Sequence, residues 1–167
     1  EDLILDIRLN YLNKFVEKFI IVEAKFTHQG KQKTKFLDLS NFNKFKNKIT
    51  HLFIENFPPN LSNWGRENFQ RNYISNSFQK IQDDDFIMIS DIDEIPNLRK
   101  FKYNDKLRYT VFCQKNFSYK FNLINKTFPI WHGTKGCKKK YLKTPQWLRN
   151  QKIKKRTFLN LFNIKWN

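Results

Sequence analysis

The sequence has 167 residues, is 40% hydrophobic and 17% aromatic, and carries a net charge of +17. That length suits one domain with one core, and no stretch approaches the roughly 18 uninterrupted apolar residues that a membrane-spanning helix needs. The two cysteines, Cys113 and Cys137, are too few for a disulfide framework and lack zinc-site spacing, so both are expected to be reduced and structural. The chain opens on Glu1 without a basic-then-apolar leader and holds one methionine, Met88, so it reads as a soluble internal fragment.

Leu5, Leu9, Leu12 and Val16 recur at helical spacing behind Glu1 and Asp2, whose acids suit a helix N-terminus. The β-branched run Phe19 to Val22 predicts a buried strand, and Thr27 to Lys31 a loop. A short helix is expected over about Ser40 to Lys46, then a strand over Ile49 to Ile54. After the Pro58-Pro59-Asn60 break, Trp64-Gly65 leads into a patterned helix with Phe69, Tyr73 and Phe78 facing inward. Asp83 to Asp85 close that region, and Phe86-Ile87-Met88-Ile89 reads as a central parallel strand. Strand and helix thus alternate three times, the pattern of a parallel α/β sheet whose ligands bind beyond the carboxyl ends of its strands. Further strands are expected in Leu107 to Cys113, Phe117 to Leu123 and Phe128 to Trp131, and Thr144-Pro145 reads as a helix start. The first helix has no strand before it, so a right-handed strand-helix-strand unit implies one upstream of Glu1.

The charge is uneven. Residues 1–95 hold 13 Lys/Arg against 14 Asp/Glu, whereas residues 96–167 hold 19 against Asp105 alone. The basic half fits either a solvated, lysine-rich surface or a surface for an anionic ligand. Clustered Lys138, Lys139 and Lys140 are the simplest group to supply positive potential to a phosphate-bearing ligand.

The strongest chemical signal is Phe86 to Pro96, where an apolar strand runs into Ser90-Asp91-Ile92-Asp93-Glu94-Ile95-Pro96. Two aspartates one residue apart, just past a strand end, can aim oxygens at one hard divalent cation, which can in turn bridge to a diphosphate. Such a cation offsets the charge that grows on a departing diphosphate. The competing reading is that both aspartates only cap a turn.

Four blocks in order resemble the bisecting N-acetylglucosaminyltransferase family, the β-1,4-mannosyl-glycoprotein 4-β-N-acetylglucosaminyltransferases and their microbial relatives. They are Leu3 to Asn10; Val22-Glu23-Ala24 with Thr27, Gly30, Lys31 and Lys33; Trp64 with Arg66-Glu67 and Gln70-Arg71-Asn72; and Asp84-Asp85 through Pro96. The likeness extends more weakly over Trp131, Gly133 and the Pro145 to Arg149 stretch.

The resemblance implies an α/β fold of GT-A type, a Rossmann-like, mostly parallel sheet flanked by helices, incomplete here at both termini. It implies one catalytic domain over 1–167, with 1–96 binding the nucleotide-sugar and metal and basic 97–167 on the acceptor side. Asp91 and Asp93 would hold Mn²⁺ or Mg²⁺, with Asp93 the more direct ligand; Glu94 would join them in catalysis or orient its neighbours. The donor would be a nucleotide-sugar, most simply UDP-GlcNAc, transferred with inversion to a glycan acceptor. The missing terminal segments would supply a metal ligand, an acceptor wall or the base. Animal members carry a Golgi membrane anchor that has no counterpart in this sequence, so the expected location is cytoplasmic or peripheral at a membrane.

Four further residues are donor-binding candidates. Glu23 either contacts the donor base or ribose or is a solvated acid at a strand end, and Lys31 and Lys33 either meet phosphates or are solvated. Arg71 either grips a phosphate through two parallel hydrogen bonds or pairs with Glu67 one turn away. Trp64 either stacks on a sugar or base or packs in the core. His28, His51 and His132 share no ligand spacing and are expected to be structural.

Two other classes compete. A phosphatase or phosphotransferase would use Asp91 as nucleophile, but such sites open their domain and carry small or hydroxylic residues where Glu94-Ile95-Pro96 stand. A nucleic-acid module would use the basic half with Tyr141, Trp147 and Trp166 interleaved, but no named motif supports it, and no dedicated nucleic-acid role is expected.

Overall fold

The computed structural model describes residues 2–120 and 122–152; Glu1 and Trp166 lie outside them. The chain divides into two compact units, one of the described residues up to Ile81 with Thr144–Gln146, the other of Gln82–Lys143 with the described residues from Trp147. The acidic motif lies in the second unit, with the basic segment.

In the first unit, helix α1 (Asp2–Leu12) buries Leu5, Leu9 and Leu12 as their spacing leads one to expect, but it ends before Val16, which is half-buried. Full burial of one such leucine contributes about 2 kcal/mol. Lys48 donates its ammonium to the carbonyls of Asn13 (2.6 Å) and Val16 (2.9 Å), satisfying acceptors just past the helix end. Strand β1 (Phe19–Ala24) pairs in parallel with β2 (Ile49–Ile54), with Phe19 opposite Ile49 and Ala24 opposite Ile54. Parallel strands need a long return connection, here supplied by a loop and a short 3-10 helix, Leu39–Phe45, that buries Phe42 and Phe45. Asp38 starts that helix by accepting from the Ser40 amide.

Ser62 caps helix α2 (Asn63–Asn72) by accepting from the Gly65 amide at 3.1 Å, and the chain continues as a 3-10 helix over Tyr73–Lys80. Phe69, Tyr73 and Phe78 are only half-buried, with Phe69 edge-on to Phe57.

The second unit has a different sheet from the one expected. Strand β3 (Phe86–Ile89) is where the apolar run places it, but it pairs antiparallel with the later strand β7 (Lys135–Lys138), which also takes β4 (Tyr109–Val111) antiparallel on its other side. The mostly parallel sheet is therefore corrected: the β1–β2 pair is parallel, and β3 belongs to a three-stranded antiparallel sheet of order β3-β7-β4. A buried apolar run satisfies either strand direction, which is why the sequence misled. β7 is central despite reading Lys-Gly-Cys-Lys, and a side chain at Gly136 would meet the Phe86 ring at 2.5 Å.

Strands β5 (Gln114–Lys115) and β6 (Ile130–Trp131) form an antiparallel arm. Among the described residues of Phe117 to Leu123, the expected strand is not formed; Phe117 bridges to Ile124, and Tyr119 has a positive φ. Helix α3 (Pro145–Arg149) starts on its proline as expected. Among the described residues, no helix is long and apolar enough to cross a membrane. Cys137 is buried, which pushes its thiol up to about 12, and Cys113 is exposed; both are unbridged.

Candidate functional site

The turn after β3 brings Asp91, Asp93 and Glu94 into three different environments. The Glu94 amide donates to the Asp91 carbonyl at 3.2 Å, and the Asp91 amide donates to Glu94 Oε2 at 3.0 Å. The side chain that closes this turn is thus Glu94's. Its other oxygen, Oε1, accepts from Trp131 Nε1 (2.6 Å) and Arg149 Nη2 (2.6 Å), so a carboxylate only 5% exposed is satisfied on both sides.

Arg149 Nη2 also donates to Asp91 Oδ2 at 2.7 Å, while Nη1 donates to the Gly133 carbonyl. Burial works against the Arg149 charge, but Asp91 and Glu94 outweigh it and raise its pKa above the usual arginine value. The Arg149 carbonyl is held in turn by the Lys135 ammonium, which also reaches the Gln151 carbonyl. Burial, with the Arg149 charge beside it, pulls the Lys135 pKa below the usual lysine value.

Gly133 makes this packing possible. A Cβ there would stand 1.9 Å from Glu94 Oε1 and 2.4 Å from Trp131 Nε1.

Asp93, at the corner of the turn, is exposed and has no hydrogen bond or ion pair among the described residues. No three His, Cys, Asp or Glu side chains stand together as a possible metal cage among them. The donor set nevertheless fits a hard cation that keeps water and phosphate oxygens in its shell, since such a cation takes one or two protein carboxylates. Asp93 is available for that purpose, and Asp91 is shared with Arg149.

The donor candidates of the first unit are bonded within it. Glu23 is buried, accepting from Lys33 Nζ at 2.8 Å and from the Leu37 amide at 3.0 Å, with His51 Nε2 at 3.5 Å. It is neither a solvated strand end nor an open carboxylate. Arg71 pairs with Glu67 at 2.9 Å and donates to Gln146. Lys31 is exposed in a loop braced by α2, where Arg66 donates to the His28 carbonyl and Gln70 meets the His28 ring. Trp64 is 73% exposed, which removes core packing as its role.

The basic cluster is not a bare positive patch. Lys138 pairs with Asp84 (3.0 Å) and Asp105 (2.7 Å), Lys139 with Asp83 (3.5 Å) and Lys140 with Asp84 (2.7 Å). Asp83, Asp84 and Asp105 therefore offset the three lysines expected to face an anionic ligand.

Residues 1–141 match the family described as Glycosyltransferase family 17. The chain belongs to that family. It is 27% identical over 103 residues to the human and rat proteins named β-1,4-mannosyl-glycoprotein 4-β-N-acetylglucosaminyltransferase, and 26% identical to the mouse protein of that name. Each alignment covers 56% of this chain and 19% of the relative, so the match spans about a fifth of each relative's length. No solved structure matches. Membership in a glycosyltransferase family sets aside the phosphatase reading. The residues that sequence reasoning did not select are Arg149 and Lys135, far along the chain from the turn they support; the weak likeness over Pro145 to Arg149 was the only signal for the arginine.

Proposed function

We propose that this chain is a metal-dependent, inverting transferase that moves N-acetylglucosamine from UDP to a mannosyl glycan. The carrying observation is Asp93, an exposed carboxylate without a partner among the described residues, beside two acids that the fold has secured. Asp93 would hold Mn²⁺ or Mg²⁺, with Asp91 in support. When bound, the cation supplies positive charge to the departing diphosphate. The acceptor hydroxyl forms its bond to the anomeric carbon on the face opposite the breaking sugar–phosphate bond, UDP departs with the bonding electrons, and the hydroxyl proton is lost to solvent.

Glu94 orients the turn: buried and fully hydrogen-bonded, it is poorly placed to take a proton. Arg149 holds Asp91 and Glu94 at one guanidinium, which keeps two like charges from spreading the turn. In the first unit, Lys31 is exposed, Lys33 bonds Glu23, and Arg71 pairs with Glu67 and donates to Gln146. The names of the relatives motivate the donor sugar and the mannosyl acceptor.

Calorimetry of UDP-N-acetylglucosamine binding with Mn²⁺ and with excess EDTA tests this reading. Binding should be present with Mn²⁺ and fall at least about tenfold with EDTA, since one uncompensated charge contact is worth roughly 1.5–3 kcal/mol. Equal affinity in both would reject the metal bridge.

A further inference from the structure

We propose that the exposed face of the Trp131 indole is a stacking platform for a pyranose ring. The inference rests on the glycosyl-transfer reading and adds a ligand contact to it. Trp131 closes strand β6 and is 47% exposed, and beyond exposed His132 the five residues Gly133 to Cys137 are all buried. Its indole N–H is fixed at 2.6 Å on buried Glu94, and Glu94 closes the turn that carries Asp91 and Asp93. The ring is therefore held against the acidic turn while much of it remains open to solvent.

Such a residue is suited to recognition. A large rigid ring already locked by a hydrogen bond loses little freedom when a ligand covers it, so burial of its apolar surface goes into affinity. Sugars present one face of C–H groups ringed by hydroxyls, which matches an aromatic face beside carboxylates. Gly133 belongs to the same arrangement, because any side chain there would collide with both Trp131 and Glu94.

Trp64 provides the contrast. It is more exposed, at 73%, but its indole has no hydrogen bond among the described residues. Nothing holds it in a binding orientation.

The pyranose could belong to the donor or to the acceptor, and the experiment separates them. Binding of UDP, UDP-N-acetylglucosamine and a mannose-terminated oligosaccharide is measured by calorimetry on the full chain with Mn²⁺. Trp131→Gln keeps an N–H donor of similar reach and removes the ring; Trp131→Phe keeps an aromatic face and removes the donor; Trp64→Gln is the control. Trp131→Gln should weaken one sugar-bearing ligand about tenfold and leave UDP unchanged, and the ligand affected identifies the source. Trp131→Phe should stay within about threefold for that ligand, and Trp64→Gln should match wild type.

The proposal is overturned if Trp131→Gln binds both sugar ligands like wild type, if it weakens UDP equally, or if wild type binds neither sugar ligand. Sugar transfer is assayed alongside. A wild-type chain that binds sugar through Trp131 but never turns over UDP-N-acetylglucosamine would refute the transfer reading and leave the platform standing.

Discussion

The carboxyl ends of β1 and β3 both carry acids, and the fold treats them in opposite ways. At the end of β1, Glu23 is buried and accepts from Lys33 and the Leu37 amide, one on each carboxylate oxygen. Past β3, three acids are given three fates: Glu94 is buried and saturated, Asp91 is shared with Arg149, and Asp93 is exposed without a partner among the described residues. A carboxylate whose hydrogen-bonding capacity is consumed internally stabilises its surroundings; one left open at the corner of a rigid turn is available for a ligand. Under the proposed function, the contrast gives Glu23 a structural role and Asp93 a ligand-binding one.

The largest effect on that contrast should come from Gly133→Ala. The new Cβ would displace the buried Glu94 carboxylate from Trp131 and Arg149, and overpacking of this kind costs about 3 kcal/mol. Denaturant unfolding should show that loss together with weakened donor binding; an unchanged midpoint would mean that Glu94 does not organise the turn. Glu23→Gln should have a smaller effect, about 1–3 kcal/mol, through the weakened bond to Lys33. Its donor affinity, measured on folded protein, should remain at the wild-type value.

The smallest effect belongs to the paired lysines. Lys140 and then Lys138, hydrogen-bonded to Asp84, hold its carboxyl at about 2, below its ordinary value of 3.8. The stabilising contribution is therefore present above about pH 4 and is lost as pH falls through about 2. Asp84→Asn should flatten the acid limb of the melting-temperature profile in that window. A profile identical to wild type would show that these exposed pairs contribute nothing.

Much of the chain was legible because apolar runs declare themselves. Ile49–Ile54 and Phe86–Ile89 form as strands at the expected residues, the α1 leucine stripe is buried, and α3 starts on Pro145. β7 was not legible: Lys135 is buried only because its ammonium reaches two backbone carbonyls, and no local pattern announces that. Missing β7 also hid the antiparallel pairing of β3, since direction is set by the partner strand and not by the run itself. In the site, the acidic turn could be read from its position after a strand. The separation of roles among its three acids depends on Arg149 and Trp131, which chain folding brings from distant positions.

The most direct test is a paired measurement on Asp93→Asn: thermal unfolding, and calorimetric affinity for UDP-N-acetylglucosamine with Mn²⁺. The exposed, unpartnered carboxylate should be dispensable for stability, with an unfolding change within about 0.5 kcal/mol, while donor affinity falls at least about tenfold. Wild-type donor affinity in Asp93→Asn, or a large loss of stability, would contradict the assignment of Asp93 to ligand binding.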